Sequence, residues 1–427
     1  MAQHGRGKSK SQAAVSEQKM IQLPIPTLSV LLDARTAFHE LCIETGCEVL
    51  KTMMEADREA ICGPKGRHDA ERHALRGGST PSRVTLGGRQ IGLSRLRVRS
   101  ASGEVPLASF TWAASQDPLD THTLEAIAAG VSTRRYDRTL DPLPAQMGQA
   151  ATSKSAVSRR FVALSQKRLE GFLSRPLDEM DIRIVMIDGK VFKKHCIVVA
   201  LGIAGDGKKH VLVLREGSTE NTRMVTDLLT DLVARGVSSE QVTLFVIDGA
   251  KALRKAIRDV FGEEHGVVQR CQLHKLRNVL DYLPDEMQLS VERSMKQAWD
   301  GTSAELAERQ LRRLASSLER EYPSAAESLR EGLEETLTVQ RLAVRGALLK
   351  TLRTTNPIEN LNGSIASYTR NVKRWRGGGS MIRRWVASAL CEAERRFRRV
   401  RGYREMPALI NALGSLSKTD LENAKVA

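Results

Sequence analysis

Two stretches decide the fold: Ile182-Arg183-Ile184-Val185-Met186-Ile187-Asp188-Gly189-Lys190 and, 60 residues later, Val242-Thr243-Leu244-Phe245-Val246-Ile247-Asp248-Gly249-Ala250. In each, a run rich in β-branched side chains meets an aspartate and a glycine break, the pattern of a short buried strand. A carboxylate closing an apolar strand is costly to desolvate unless a cation or hydrogen bonds compensate. Two such ends side by side would make a cation site. Asp-Gly after a strand is also a common turn signal, and either pair alone reads more readily as a turn. The order of the surrounding elements favours the cation site.

Working outward, His195–Gly202 and His210–Arg215 read as strands flanking the turn Gly205-Asp206-Gly207-Lys208, so they pair antiparallel. Residues 220–235 form an amphipathic helix with Met224, Leu228, Leu229, Leu232 and Val233 on one face. A helix over Lys251–Phe261 and a fifth strand over Gly266–Arg270 follow the Asp248 strand. The order is β-β-β-α-β-α-β, and a right-handed crossover returns the fourth strand parallel to the first. Both aspartates then lie at the same edge of the sheet, in a ribonuclease-H-like arrangement. Pro284 to Arg345 is strongly charged and strand-poor, with leucines 306, 311, 314 and 318 at helical spacing, and reads as an all-helical insertion in that core. Beyond it, in Thr354-Thr355-Asn356-Pro357-Ile358-Glu359, Asn356 is expected as an N-cap and Pro357 at the first helical position. Glu359 then falls where a capping-box glutamate belongs. Spacing alone leaves cap and metal ligand both open.

The chain of 427 residues carries 66 Lys and Arg against 50 Asp and Glu, a formal charge of +16. That surplus points to a polyanionic partner, with nucleic acid foremost. No window approaches the roughly 18 apolar residues of a membrane span. Residues 1–19 are polar and basic without an apolar core, which argues against secretion. The six scattered cysteines read as reduced thiols. A cytoplasmic, nucleoid-associated protein is expected.

Helical periodicity runs from Asp33 to Ile61 through Phe38, Leu41, Cys42 and Val49. A hairpin around Gly87-Gly88 follows, and arginines 89, 95, 97 and 99 would give it a basic surface, able to touch phosphate or simply solvated. Next, Leu124–Ala129 is helical, Gly130 breaks it, and Ser132 can cap a helix beginning Thr133-Arg134-Arg135-Tyr136. Ser153 caps a further helix carrying Lys154, Arg159 and Arg160. This is the helix-turn-helix layout for the major groove, and these five cations are candidate DNA contacts. A second basic cluster comprises Lys373, Arg374, Arg376, Arg395, Arg396, Arg398 and Arg399. Its expected helix, Ser380–Arg399, turns Trp385, Ala389 and Phe397 inward and its arginines toward phosphate. Cys271 and His274 have the spacing of half a zinc site, but no second pair of ligands is evident, and a structural or site-supporting role is preferred.

Together, Asp188-Gly189, Asp248-Gly249, Arg270-Cys271-Gln272-Leu273-His274 and Thr355-Asn356-Pro357-Ile358-Glu359-Asn360 resemble the mutator-type transposases of bacterial insertion sequences. The resemblance runs from about Val84 to Leu413 and includes Gly130-Val131-Ser132-Thr133-Arg134 and Ser153–Ser158. It implies a ribonuclease-H-like core with an Asp-Asp-Glu triad, here Asp188, Asp248 and Glu359, and a helical insertion before the glutamate. Asn356 is carried as a site-supporting residue. The resemblance also implies two chemical steps, water freeing a 3′-hydroxyl at the element end and that hydroxyl attacking another phosphodiester. Three carboxylates suit two Mg²⁺ or Mn²⁺ ions, with Asp188 bridging them. Expected partners are double-stranded DNA, both element ends and target, bound by a homodimer or larger assembly. Alternatives are a ribonuclease-H-like nuclease or resolvase that cuts without joining, and a non-catalytic DNA-binding regulator.

The expected organisation is multidomain α+β. Residues 1–66 form a tail and helical region, 67–117 a small basic β element, and 118–178 the helix-turn-helix region. The core comprises 179–283 and 346–402, the latter with Glu359 and the basic helix. It is interrupted by the helical insertion 284–345 and followed by a tail, 403–427.

Overall fold

The computed structural model describes residues 34–67, 73–115, 117, 122–128, 136, 153–192, 195–217, 221–301, 303–370, 372, 375 and 380–424. They group into two compact units, one drawn from Met1–Ala126 and Ser132–Val157, the other from Ile127–Val131 and Ser158–Ala427. The architecture is mixed α and β, with one sheet in each unit.

In the first unit, α1 (Ala34–Cys62) accompanies an antiparallel sheet of β1 (Ala74–Leu86), β2 (Arg89–Ser100) and β3 (Gly103–Val105), followed by α2 (Ala108–Ser115) and α3 (His122–Ala128). The β1–β2 turn is made by Gly87 and Gly88 at φ +60° and +83°, the left-handed pair that a two-residue hairpin requires. The buried face of α1 carries Ile43, Leu50 and Met54. Leu41, Cys42 and Val49, expected there, are half-buried, because the helix is rotated to set Ile43 against Leu86 and Ile91. The expected basic surface of the hairpin is also corrected. Arg89 is buried, and Glu104 on β3 pairs with Arg95 at 2.9 Å and Arg97 at 2.8 Å, leaving Arg99 exposed. The helix expected from Thr133 lies outside the described residues. Ser153 does cap α4 (Lys154–Leu173), which from Ser158 on belongs to the second unit; its Oγ accepts from the Ala156 N–H at 3.2 Å.

The second unit is built on β4 (Ile182–Phe192), β5 (His195–Ala204), β6 (Lys209–Gly217), β7 (Thr243–Ile247) and β8 (Gly266–Arg270), in spatial order β6-β5-β4-β7-β8. Helices α5 (Thr222–Ala234) and α6 (Lys251–His265) connect the later strands, giving the expected β-β-β-α-β-α-β. β4 pairs antiparallel with β5 and parallel with β7. After β8 come α7 (Gln272–Leu280), α8 (Asp285–Asp300), α9 (Ala304–Leu318), α10 (Pro323–Arg330) and α11 (Thr338–Arg341). The chain returns to the sheet with α12 (Gly346–Leu352), α13 (Asn356–Thr369), α14 (Met381–Glu394) and α15 (Met406–Ala424).

Strand side chains alternate between faces, and both faces are apolar because both are covered. Ile184, Met186, Leu244 and Val246 join one core with Ile358, Leu361 and Ile365 of α13 and with residues of α4, α12, α14 and α15. Val185, Ile187, Phe245 and Ile247 join the opposite core with Leu228 and Leu232 of α5 and Leu253 and Ile257 of α6. The insertion has its own core, which α7 joins through Leu276 and Val279, so it starts earlier than the charge pattern suggested. Leu311 and Leu318 enter that core, whereas Leu306 is exposed.

Two boundaries differ from expectation. Asp188 does not end its strand, because β4 runs on to Phe192 in partnership with β5; only the pairing with β7 stops before it. The helix α14 ends at Glu394 rather than Arg399, where the Arg395 and Arg396 turn leads into an irregular segment. That segment is pinned by the Val400 N–H donating to the Gly207 carbonyl at 2.8 Å.

A buried polar network joins β8 to the insertion. Gln269 donates to the Thr336 carbonyl at 3.0 Å and accepts from the Val339 N–H at 2.9 Å, and Gln272 donates to the same carbonyl at 2.8 Å. A Gln269→Leu substitution preserves bulk but leaves the Val339 N–H unpaired. We expect urea denaturation to show a loss of about 1–3 kcal/mol, the cost of an unsatisfied buried polar group. A loss below about 0.5 kcal/mol, within the range of surface substitutions, would show that the network does not hold the insertion in place.

Candidate functional site

The register of the sheet assembles the site. Ile184 pairs with Leu244 and Met186 with Val246, so the same offset carried two residues on sets Asp188 beside Asp248. Ile247 pairs with Arg270, which sets Cys271 beside Asp248. By alternation, Asp188 and Asp248 project to the face bearing Met186 and Val246, the face that α13 covers. Helix α13 supplies the rest. Asn362 donates to Asp188 Oδ2 at 2.6 Å, and Thr355 donates from Oγ1 to Glu359 Oε1 at 2.7 Å.

Glu359 is not a capping-box residue. Thr355 holds the cap position and α13 begins at Asn356, so Glu359 sits one place beyond the box position. Asn356, expected as the cap, is exposed and Thr355 takes its place. The turn reading of Asp248-Gly249 is right as far as it goes. Asp248 Oδ1 accepts from the Ala250 N–H at 2.9 Å, and Gly249 has φ +100°. A side chain at Gly249 would also collide with the Arg270 guanidinium, since a Cβ there would overlap Nε. Gly189, by contrast, lies within β4 opposite Val198 and makes no turn.

Each of the three carboxylates is held by a hydrogen bond to one oxygen. Among the described residues the other oxygen, Oδ1 of Asp188, Oδ2 of Asp248 and Oε2 of Glu359, has no hydrogen-bond partner. Burial raises the Asp188 carboxyl above its ordinary value; the Asn362 hydrogen bond opposes this, while the charges of Asp248 and Glu359 add to it.

Beside the carboxylates, Cys271, His274 and Glu359 offer ligand atoms within 4.8 Å of one another, the one group that tight among the described residues. Asp188, Asp248 and Glu359 do not gather so closely. Thr355 Oγ1 links this group, 3.3 Å from Cys271 Sγ and 3.4 Å from His274 Nδ1. Burial alone would raise the Cys271 thiol, but hydrogen bonds with His274 and Thr355 outweigh it and hold the thiol below its usual value. The bond to Cys271 in turn raises His274, against burial. Sequence reasoning missed Thr355 and Asn362. Their spacing from Glu359, four before and three after, puts all three on one face of a helix, a signal present in the chain.

The remaining candidates are dispersed. Lys154 and Arg159 are exposed and Arg160 is half-buried. Arg395 and Arg396 pair with Glu392 at 3.3 and 2.8 Å, and Arg399 approaches Asp206 at 3.5 Å and lies over the Tyr403 ring. Arg398 is exposed. Trp385 packs on Phe161 with ring centroids 4.8 Å apart, and Phe397 packs inward from beyond the end of α14. Arg134, Arg135, Lys373, Arg374 and Arg376 lie outside the described residues. No described helix is long and apolar enough to cross a membrane.

Comparison with known proteins agrees with the motifs. The transposase for insertion sequence element ISRM5 of Rhizobium meliloti (strain 1021) is 28% identical over 365 residues, 83% of this chain and 87% of that protein. The transposase for IS256 in transposon Tn4001 of Staphylococcus aureus is 27% identical over 335 residues, 74% of this chain and 81% of its own. The transposase for IS6120 of Mycolicibacterium smegmatis is 27% identical over 250 residues, 57% and 75% respectively. The family described as transposase, Mutator family, matches residues 30–399. With that match over most of its length, the chain belongs to the Mutator family of transposases.

Proposed function

We propose that the chain is a DNA transposase that binds the ends of its insertion sequence and performs strand cleavage and strand transfer at Asp188, Asp248 and Glu359, on a ribonuclease-H-like core. The observation that carries this is that Asp188 and Asp248 lie side by side on the sheet face that α13 covers, that this helix carries Glu359, and that each carboxylate has an oxygen that no described residue engages. The order β6-β5-β4-β7-β8, with three antiparallel strands followed by two parallel ones, supports the proposed core.

The donor set fits hard divalent cations. Carboxylate oxygens suit Mg²⁺ or Mn²⁺, and the mutual repulsion felt by Asp188 is what a cation would relieve. Bound there, two such ions would lower the pKa of an attacking hydroxyl and neutralise charge on the leaving oxygen. Asp188, Asp248 and Glu359 are the residues that would hold them. Asn362 fixes the rotamer of Asp188, and Thr355 fixes that of Glu359. His274, held by Cys271, places a proton donor beside the carboxylates, where it can steady the phosphate. One set of residues serves both steps, since hydrolysis and transfer differ only in whether water or a 3′-hydroxyl attacks.

The substrate would be double-stranded DNA, engaged by a dimer or larger assembly, with Lys154, Arg159 and Arg160 of α4 among the contacts. Detection of joined products from a pre-cleaved element end separates transposition from simple nuclease action. Absence of joining alongside efficient cutting would favour the nuclease.

Asp188→Asn, Asp248→Asn and Glu359→Gln should each abolish cleavage of element-end DNA in Mg²⁺ while leaving affinity for that DNA within about twofold. Robust cleavage by any of these purified variants removes that residue from the triad. Asn362→Ala should lower the cleavage rate by about 10–100-fold and raise the Mg²⁺ concentration needed for half-maximal rate, as loss of a partner orienting a metal ligand does. An unchanged Mg²⁺ requirement would assign Asn362 to packing alone.

A further inference from the structure

The face of α13 beside the one bearing Glu359 and Asn362 is polar without being charged. Asn360, Ser364 and Ser367 recur there at helical spacing and line a groove of about 530 Å³. Its opposite wall is the end of α14, with Ala389 and Glu392, and the segment that follows, with Arg396 and Phe397. The groove begins at Pro357, two residues before Glu359, and runs along the helix to Arg370.

Lys209, the first residue of β6, reaches into this groove with its ammonium 4.9 Å from the centre of the Phe397 ring. Among the described residues no carboxylate lies within ion-pair distance of it. Its neighbour Lys208 is 61% exposed in its side chain and pairs with Asp206 at 3.2 Å. A half-buried ammonium without a counter-ion is costly, and burial lowers its pKa accordingly. The aromatic face repays part of that cost. Arg396 supplies a second cation at the rim, held by Glu392 at 2.8 Å with its side chain 79% exposed. Cations for phosphate, short hydroxyls for sugar or phosphate oxygens, and an apolar aromatic surface for a base are together the chemistry of a polynucleotide strand.

We propose that this groove seats a nucleotide of the DNA strand flanking the scissile bond, its phosphate on Lys209 and Arg396 and its base or sugar against Phe397. The proposal rests on the reading of Asp188, Asp248 and Glu359 as the cleavage site, because α13 carries both Glu359 and the groove. It names a contact, Lys209, that lies far in sequence from both basic clusters.

The test is a binding measurement on the full chain without divalent ions, by fluorescence anisotropy across a salt series. The probes are a labelled duplex with a single-stranded 3′ overhang and the same duplex made blunt. Lys209→Gln and Arg396→Gln should each weaken binding to the overhang probe by about tenfold and reduce the log-log salt slope by roughly one unit. Lys208→Gln removes the same charge one residue away and should change neither. On the blunt probe the deficit of Lys209→Gln should vanish. Equal effects at Lys208 and Lys209, or a deficit that persists on the blunt probe, would overturn the proposal in favour of diffuse charge. Arg396 is exposed, so its variant reports on the groove even if Lys209→Gln fails to fold. Since no cleavage is measured, failure here leaves the catalytic reading intact, and cleavage by Asp188→Asn would overturn that reading without touching this result.

Discussion

The parallel pairing of β4 with β7 is the constraint on which the rest of the second unit depends. A strand pair fixes side-chain direction as well as neighbours, so the register Met186–Val246 determines where Asp188 and Asp248 point. A slip of one residue would turn one aspartate toward α5 and α6, into the core that holds Ile187 and Ile247. The register is secured because both faces are buried: Val185 and Phe245 are locked into one core while Met186 and Val246 are locked into the other. Apolar packing thus holds two like charges side by side, an arrangement they would not choose in isolation.

Helix α13 completes the arrangement by a different means. Its apolar face, through Ile358, Leu361 and Ile365, seats it on the sheet. Its polar positions then fall opposite the aspartates, so Asn362 reaches Asp188 and Glu359 comes to rest beside Thr355 and His274. The end of β8 feeds in Cys271, whose N–H donates to the Ile247 carbonyl at 2.7 Å, while the Gln272 N–H donates to the Arg353 carbonyl at 2.9 Å. These two bonds tie the strand end to the segment just before α13. The glutamate thereby keeps its position relative to the aspartates although the whole helical insertion lies between them in the chain.

Much of this was legible in the sequence, for identifiable reasons. The strand runs leading into Asp188 and Asp248, the Gly205–Lys208 turn and the amphipathic α5 follow from period and turn chemistry, which act over a few residues. The errors arose where a distant partner decides the outcome. β4 continues past Asp188 because β5 is there to pair with it. Arg95 and Arg97 share the single carboxylate of Glu104, which is brought alongside only when β3 folds back. The expected helix through Arg399 stops at Glu394, and the segment beyond it is drawn onto the β5–β6 turn, which no local propensity encodes. Nothing in the local sequence marks Lys209, because the Phe397 ring near its ammonium is distant in the chain.

The central claim is that Asp188, Asp248 and Glu359 together hold hard divalent cations. Iron(II) can substitute for such ions and, with ascorbate and peroxide, cuts the polypeptide where it is bound. Fragment mapping on the wild-type chain is predicted to show cuts near residues 188, 248 and 359 that excess Mg²⁺ suppresses. Cuts confined to the neighbourhood of Cys271, His274 and Glu359 and insensitive to Mg²⁺ would instead mark a softer site and contradict the account.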